Sequence, residues 1–236
     1  CETVNQDPRT FHSVTTYLDN PFLEQTVIDE IESLREKNQS LWQVYGLGQQ
    51  AVIEGLVFKH FGICETIPPH VRHRFIGMDF GFTNDPTAIC EVALDGDALY
   101  IDEIAYRTQM LSSDIITTLR EAAPKMRIIS ESADPRLIQE IYRAGIDIHP
   151  VKKFPGSIEA GLSKMQEYRI IITKRSTNVA KELRNYTYRQ DKDGRWLNVA
   201  IDCYNHAIDA VRYVVMEQFM AGKRRKIDLG RLQRLV

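Results

Sequence analysis

The chain has 236 residues, 43% hydrophobic and 26% charged, a balance that suits one large domain, or one domain with an arm, built on a buried core. Wholesale disorder and coiled coil are excluded, and with apolar runs as short as Ile170-Ile171-Ile172 so is a membrane span of about 20 apolar residues. Lys and Arg number 30 against 32 Asp and Glu, a net charge of −2, so any nucleic-acid contact must come from a local basic groove.

Residues 1–72 read as an arm and linker. Asp7-Pro8 and Asp19-Asn20 are turn formers, with one short strand expected at Phe11–Tyr17. Asn20-Pro21 has the form of an N-cap followed by proline at the first helical position. Phe22, Val27, Ile28, Ile31 and Leu34 then make a helical stripe to about Lys37. A second short helix is expected at Leu41–Tyr45, and 62–73, with Pro68-Pro69, as linker. Residues 73–222 form the main domain. Strands at 75–80, 87–94 and 98–105 make a meander, its second turn marked by Asp95-Gly96. Helices at 111–123, 135–144, 157–167 and 178–186 alternate with strands at 127–130, 146–150 and 169–173. A small hairpin is expected around Asp193-Gly194, then a last long helix from Cys203 to Met220 and a basic tail, 223–236. This order defines an α/β fold with a mixed β-sheet flanked by helices and preceded by a helical or extended arm.

The four cysteines are scattered without a CxxC pair, which suits reduced thiols better than a zinc knuckle or a disulfide framework. There is no basic-then-apolar leader. The first residue is Cys1, not Met, so a piece of a longer protein is expected.

Candidate chemistry lies where polar groups meet strand ends. Asp79 ends an apolar strand in Gly77-Met78-Asp79-Phe80-Gly81, a costly place for a carboxylate unless it is paired or bound to a metal. Glu131 ends the fourth strand. His206 and Asp209 share a face of the last helix; Asp202, four residues before His206, either points the same way or caps that helix. Asp134 before Pro135 reads as an N-cap. Brought together, Asp79, Glu131 and Asp209 would make an oxygen-rich cage suited to Mg²⁺ or Mn²⁺. Two such ions about 3.5–4 Å apart can bridge one phosphate oxygen, one activating water and the other stabilising the leaving 3′ oxygen.

These segments resemble one family. Gly77–Gly81 with Asp85-Pro86-Thr87-Ala88, Glu131-Ser132-Ala133-Asp134-Pro135-Arg136, Lys153-Phe154-Pro155-Gly156-Ser157-Ile158 and Asn205–Tyr213 are similar, in order and spacing, to the nuclease domain of the large terminase subunit of tailed bacteriophages. Tyr17–Leu23, Tyr45–Gly48 and Glu54-Gly55 look like the stretch that joins that family's motor to its nuclease. The resemblance implies a ribonuclease H-like fold and a two-metal endonuclease that cuts concatemeric double-stranded DNA. Asp79, Glu131 and Asp209 would be the carboxylates, with Glu standing at position 131 where many relatives have Asp, and His206 a metal ligand or proton shuttle. It also implies an ATPase domain in the same full-length protein, a terminase small subunit and a portal ring as partners, no membrane, and the cytoplasm of a bacterial host as the setting. No Gly-x-x-x-x-Gly-Lys-Ser/Thr loop occurs, so the chain is not expected to hydrolyse ATP itself.

For DNA, Lys152, Lys153 and Ser157 at the Pro155-Gly156 turn are candidates, with Lys164, Arg184, Arg189, Lys192 and Arg195. The Asp193-Gly194 hairpin is a possible wall of the channel, and Lys223–Lys226 a tail that touches DNA or the portal or only aids solubility. Three other readings remain: a transposase-like or junction-resolving nuclease of the same superfamily, an actin-like nucleotide binder whose first strand also ends in Asp-x-Gly, and a nuclease-dead adaptor.

Overall fold

In the computed structural model, which describes residues 15–37, 42–48 and 55–220, the chain divides into an N-terminal unit, Cys1–Gly55, and a larger unit, Leu56–Val236. In the first unit, helix α1 (Gln25–Lys37) starts later than Asn20-Pro21 suggested. The Asn20 side chain accepts the Phe22 N–H at 3.1 Å, closing a turn ahead of the helix instead of capping it. The expected second helix is a π-helical turn, Trp42–Gly46. Tyr17 and Trp42 are buried edge to face with ring centres 6.1 Å apart, and the Tyr17 hydroxyl donates to Glu32. The strand expected at Phe11–Tyr17 falls mostly outside the described residues, as does the Lys223–Lys226 tail, and its described end is not strand.

The larger unit is built on seven strands: β1 (Gly62–Cys64), β2 (His73–Asp79), β3 (Thr87–Asp95), β4 (Ala98–Arg107), β5 (Ile128–Ser130), β6 (Ile148–Pro150) and β7 (Arg169–Thr173). They lie in the order β1-β7-β4-β3-β2-β5-β6, antiparallel through the β2-β3-β4 meander and parallel elsewhere. A separate hairpin pairs β8 (Tyr188–Gln190) with β9 (Trp196–Ala200). Residues 62–73, read as linker, hold the edge strand β1 instead. It has only three residues, with Ile63 exposed at the sheet edge, so it carries no hydrophobic alternation.

Helices cover both faces. On one side α2 (Ser112–Ala122) and α3 (Pro135–Arg143) bury Ile115, Leu119 and Ile141 against Ile76, Met78 and Ile128. On the other, α4 (Ser157–Gln166), α5 (Thr177–Asn185) and α6 (His206–Val214) bury Leu162, Leu183, Ile208 and Val211 against Cys90, Leu99, Ile101 and Ile129. The last helix starts later than Cys203, because Tyr204 takes the left-handed conformation (φ 56°), which a helix cannot continue. Its final turns, Val215–Met220, are π-helical. Cys64, Cys90 and Cys203 are unbridged, and among the described residues no helix is long and apolar enough to cross a membrane.

Candidate active site

Strand register positions two of the carboxylates. Met78 pairs with Ser130, so Asp79 and Glu131 are the next residues on neighbouring parallel strands, and the Glu131 N–H donates to the Met78 carbonyl at 2.9 Å. Side chains alternate along β2. Ile76 and Met78 enter the α2–α3 cluster, which turns Gly77 and Asp79 toward α6. Ile129 belongs to the α6-side cluster, and Glu131 follows it with the same parity.

Helix α6 brings the other groups. A Cβ on Gly77 would lie 2.0 Å from the Ala210 carbonyl oxygen, so the helix backbone rests directly on the strand. His206, Asp209 and Tyr213 share one face at helical spacing. His206 Nδ1 lies 3.2 Å from Asp79 Oδ2, and the Tyr213 hydroxyl donates to Asp79 Oδ1 at 3.1 Å. Arg212, only 2% exposed, donates from Nε to Asp209 Oδ1 at 3.0 Å. Its stem fits over Gly161, where a Cβ would meet it at 2.5 Å. Lys153 Nζ donates to Glu131 Oε1 at 2.8 Å. Asp79, Glu131, His206 and Asp209 line one cavity of about 460 Å³, together with Asp85, Lys153, Ser157 and Asp202.

Charge is crowded in this cavity. Burial pushes the Asp79 carboxyl up to about 6; the hydrogen bond from His206 opposes the rise, and the charges of Asp209 and Glu131 add to it. The His206 imidazole is raised, chiefly by its hydrogen bond to Asp79 and against its own burial. The Tyr213 hydroxyl is pushed well above its ordinary value by burial and then by Asp79, so it remains a donor at neutral pH. Three hard-oxygen donors that repel one another are the chemistry a divalent cation relieves. In the arrangement observed, protein groups hold them instead: Lys153 on Glu131, Arg212 on Asp209, His206 and Tyr213 on Asp79. Among the described residues no group of three His, Cys, Asp or Glu side chains forms a ligand set for an ion. The donor types fit a divalent metal; the cage is not closed.

The remaining candidates divide. Ser157 is buried at the first position of α4, behind Gly156 (φ 79°), and lines the cavity. Lys152 is exposed, its N–H donating to Glu217 at 2.8 Å. Lys164 is not brought to the cavity; it sits toward the far end of α4, paired with Glu167 and 5.0 Å over the Tyr168 ring. Arg189 and Arg195 stand on and beside the β8–β9 hairpin, outside the cavity wall. Asp202 was expected on the helix face or as its cap. It does not cap the helix, because α6 begins at His206 with Asn205 in the capping position, but it lines the same cavity as His206 and Asp209. Asp134 accepts the Arg136 and Leu137 N–H groups at 3.1 and 3.0 Å, as an N-cap does.

Sequence reasoning gave Tyr213, Arg212 and Glu182 no role. The first two were within reach, at i+4 and i+3 from Asp209. Glu182, on α5, is buried and accepts the Ile208 N–H at 2.9 Å and the Tyr106 hydroxyl at 2.8 Å, so a carboxylate from another helix caps α6. Burial raises its pKa, and those hydrogen bonds oppose the rise. Nothing local in the sequence marks that contact.

The seven-stranded mixed sheet with helices on both faces, carrying these carboxylates at the ends of two adjacent parallel strands, has a ribonuclease H-like fold. A family model described as "Terminase RNAseH like domain" matches residues 79–217, and one described as "Phage terminase large subunit" matches residues 2–49. The chain belongs to the terminase RNase H-like domain family. It is 32% identical over 226 residues to the terminase large subunit of Bacillus phage SPP1, covering 90% of this chain and 53% of that protein. It is 27% identical over 220 residues to the PBSX phage terminase large subunit of Bacillus subtilis (strain 168), covering 87% and 50%. The chain thus spans about half the length of the curated relatives it matches. The SPP1 large terminase nuclease domain, solved with bound Mn, superposes with a TM-score of 0.61 at 30% identity, covering 67% of this chain and 96% of that one. The P22 large terminase nuclease domain superposes at 0.56 and 20% identity, covering 69% and 92%, a likeness of fold.

Proposed function

We propose that this chain is the metal-dependent endonuclease part of a viral genome-packaging terminase, hydrolysing phosphodiester bonds of concatemeric double-stranded DNA. The observation that carries the reading is the convergence of Asp79, Glu131 and Asp209, with His206, on one cavity at the carboxyl ends of β2 and β5. Those three carboxylates would hold two Mg²⁺ or Mn²⁺ ions, with His206 a ligand or proton shuttle. The Mn-bound SPP1 domain supports the choice of metal. When bound, the ions would supply an activated water and stabilisation of the leaving 3′ oxygen.

The chain's own groups have complementary tasks. Tyr213 fixes one oxygen of Asp79, and His206 lies against the other. Arg212, buried and unable to leave, orients Asp209. Lys153 is half-exposed and can exchange Glu131 for a backbone phosphate, which frees Glu131 as DNA arrives. Ser157, at the first position of α4, offers its hydroxyl to the same phosphate. Lys152, Arg189 and Arg195 would contact the duplex farther out, giving a salt-dependent and largely sequence-independent affinity. An ATPase domain in the same full-length protein, a small subunit, a portal ring and the cytoplasm of a bacterial host complete the proposed setting. The model match at residues 2–49 supports a neighbouring motor.

Plasmid nicking with Mn²⁺ tests the reading. Asp79→Ala and Asp209→Ala should abolish it, and Glu131→Ala should come close. Asp134→Ala should cost only about 1 kcal/mol of stability and keep activity. Full activity in both aspartate variants would remove the proposed site.

A further inference from the structure

A second cavity, of about 610 Å³, adjoins the acidic one: Tyr204 and His206 line both. Its wall carries two cations, Arg107 at the end of β4 and Lys181 on α5. Both are exposed, and among the described residues neither makes an ion pair, whereas the cations of the acidic cavity, Lys153 and Arg212, are engaged by Glu131 and Asp209. The ammonium of Lys181 is held 5.9 Å over the Tyr204 ring, at the junction of the two cavities. The carboxylate in this wall, Glu182, is buried and bonded to the Ile208 N–H and the Tyr106 hydroxyl, and it makes no ion pair with either cation among the described residues.

A polyanion entering the acidic cavity meets three carboxylates that repel it. Positive charge immediately beside that cavity offsets the repulsion and gives the strand a direction. We propose that the second cavity seats the phosphodiester backbone of the cleaved DNA strand as it leaves the acidic site on the His206 side, Arg107 and Lys181 each neutralising one phosphate. This rests on the DNA-cleaving reading above and adds to it a strand path that the Lys152–Ser157 turn and the hairpin do not supply.

The test is binding of a short fluorescent duplex to the full chain in EDTA, by anisotropy across a salt series. Each phosphate contact adds about 0.9 to the slope of log affinity against log salt, so Arg107→Gln/Lys181→Gln should flatten that slope by about 1.8. The charge-keeping pair Arg107→Lys/Lys181→Arg should hold the wild-type slope. As a control, Lys125→Gln/Arg143→Gln removes two cations before the amino-terminal ends of β5 and β6, remote from both cavities, and should change the slope little. An unchanged slope in the first pair, a loss no larger than the control's, or a loss in the charge-keeping pair would overturn the strand path while leaving DNA cleavage standing. A wild-type chain that binds no duplex would overturn the cleavage reading itself.

Discussion

Asp79 is the residue on which the most physical effects meet. It is 8% exposed, and burial with two neighbouring carboxylates lifts its pKa from 3.8 to about 6. Between those values the folded chain binds more protons than the unfolded one, so stability falls as pH rises and the loss is complete above about pH 6. The shift corresponds to a cost on the order of 3 kcal/mol at neutral pH. His206 runs in the same sense: its raised pKa gives stability present below its unfolded value and lost as pH rises through the folded one. Asp79→Asn should therefore raise the melting temperature in EDTA at pH 8 and leave it nearly unchanged at pH 4. Equal stability of variant and wild type at pH 8 would mean that the carboxylate is not strained by its surroundings. At this scale the acidic residues were legible because each sits at a strand end or at helical spacing. Their partners were less so: Lys153 meets Glu131 only through the tertiary fold, and Glu182 reads as one more polar position on an amphipathic helix.

At the scale of elements, the contact of α6 with β2 decides whether the site exists. Gly77 permits it, and Ala210 sits against the strand with no room for a methyl group. Gly77→Ala should lift the helix from the sheet, cost about 3 kcal/mol or more in urea unfolding and carry His206 and Asp209 away from Asp79. An alanine variant of wild-type stability would show that the helix has slack. Helix and strand identities in the larger unit were readable from periodicity, the Asp95-Gly96 turn and the Asp134 cap. What escaped were starts and edges. Asn20 closes a turn where a cap was expected, Tyr204 delays α6 by its left-handed backbone, and β1 is too short to alternate. The first two are each decided by one local hydrogen bond or dihedral angle that composition does not encode.

For the whole molecule, topology does what no local motif could. Residues 79, 131 and 209 meet because β5 is laid parallel beside β2 and the chain then returns, after two further strands, a hairpin and three helices, to set α6 across both. The family pattern, Gly77–Gly81 through Asn205–Tyr213, made that convergence an expectation. The held state of the carboxylates, each on a protein cation or donor, was not foreseeable without coordinates. The most direct measurement is a crystal of this chain soaked in Mn²⁺, with the anomalous peaks located. Two peaks among the carboxylates of Asp79, Glu131 and Asp209, with Lys153 turned from Glu131, are the expected result; peaks elsewhere, or none in that cavity, would contradict it.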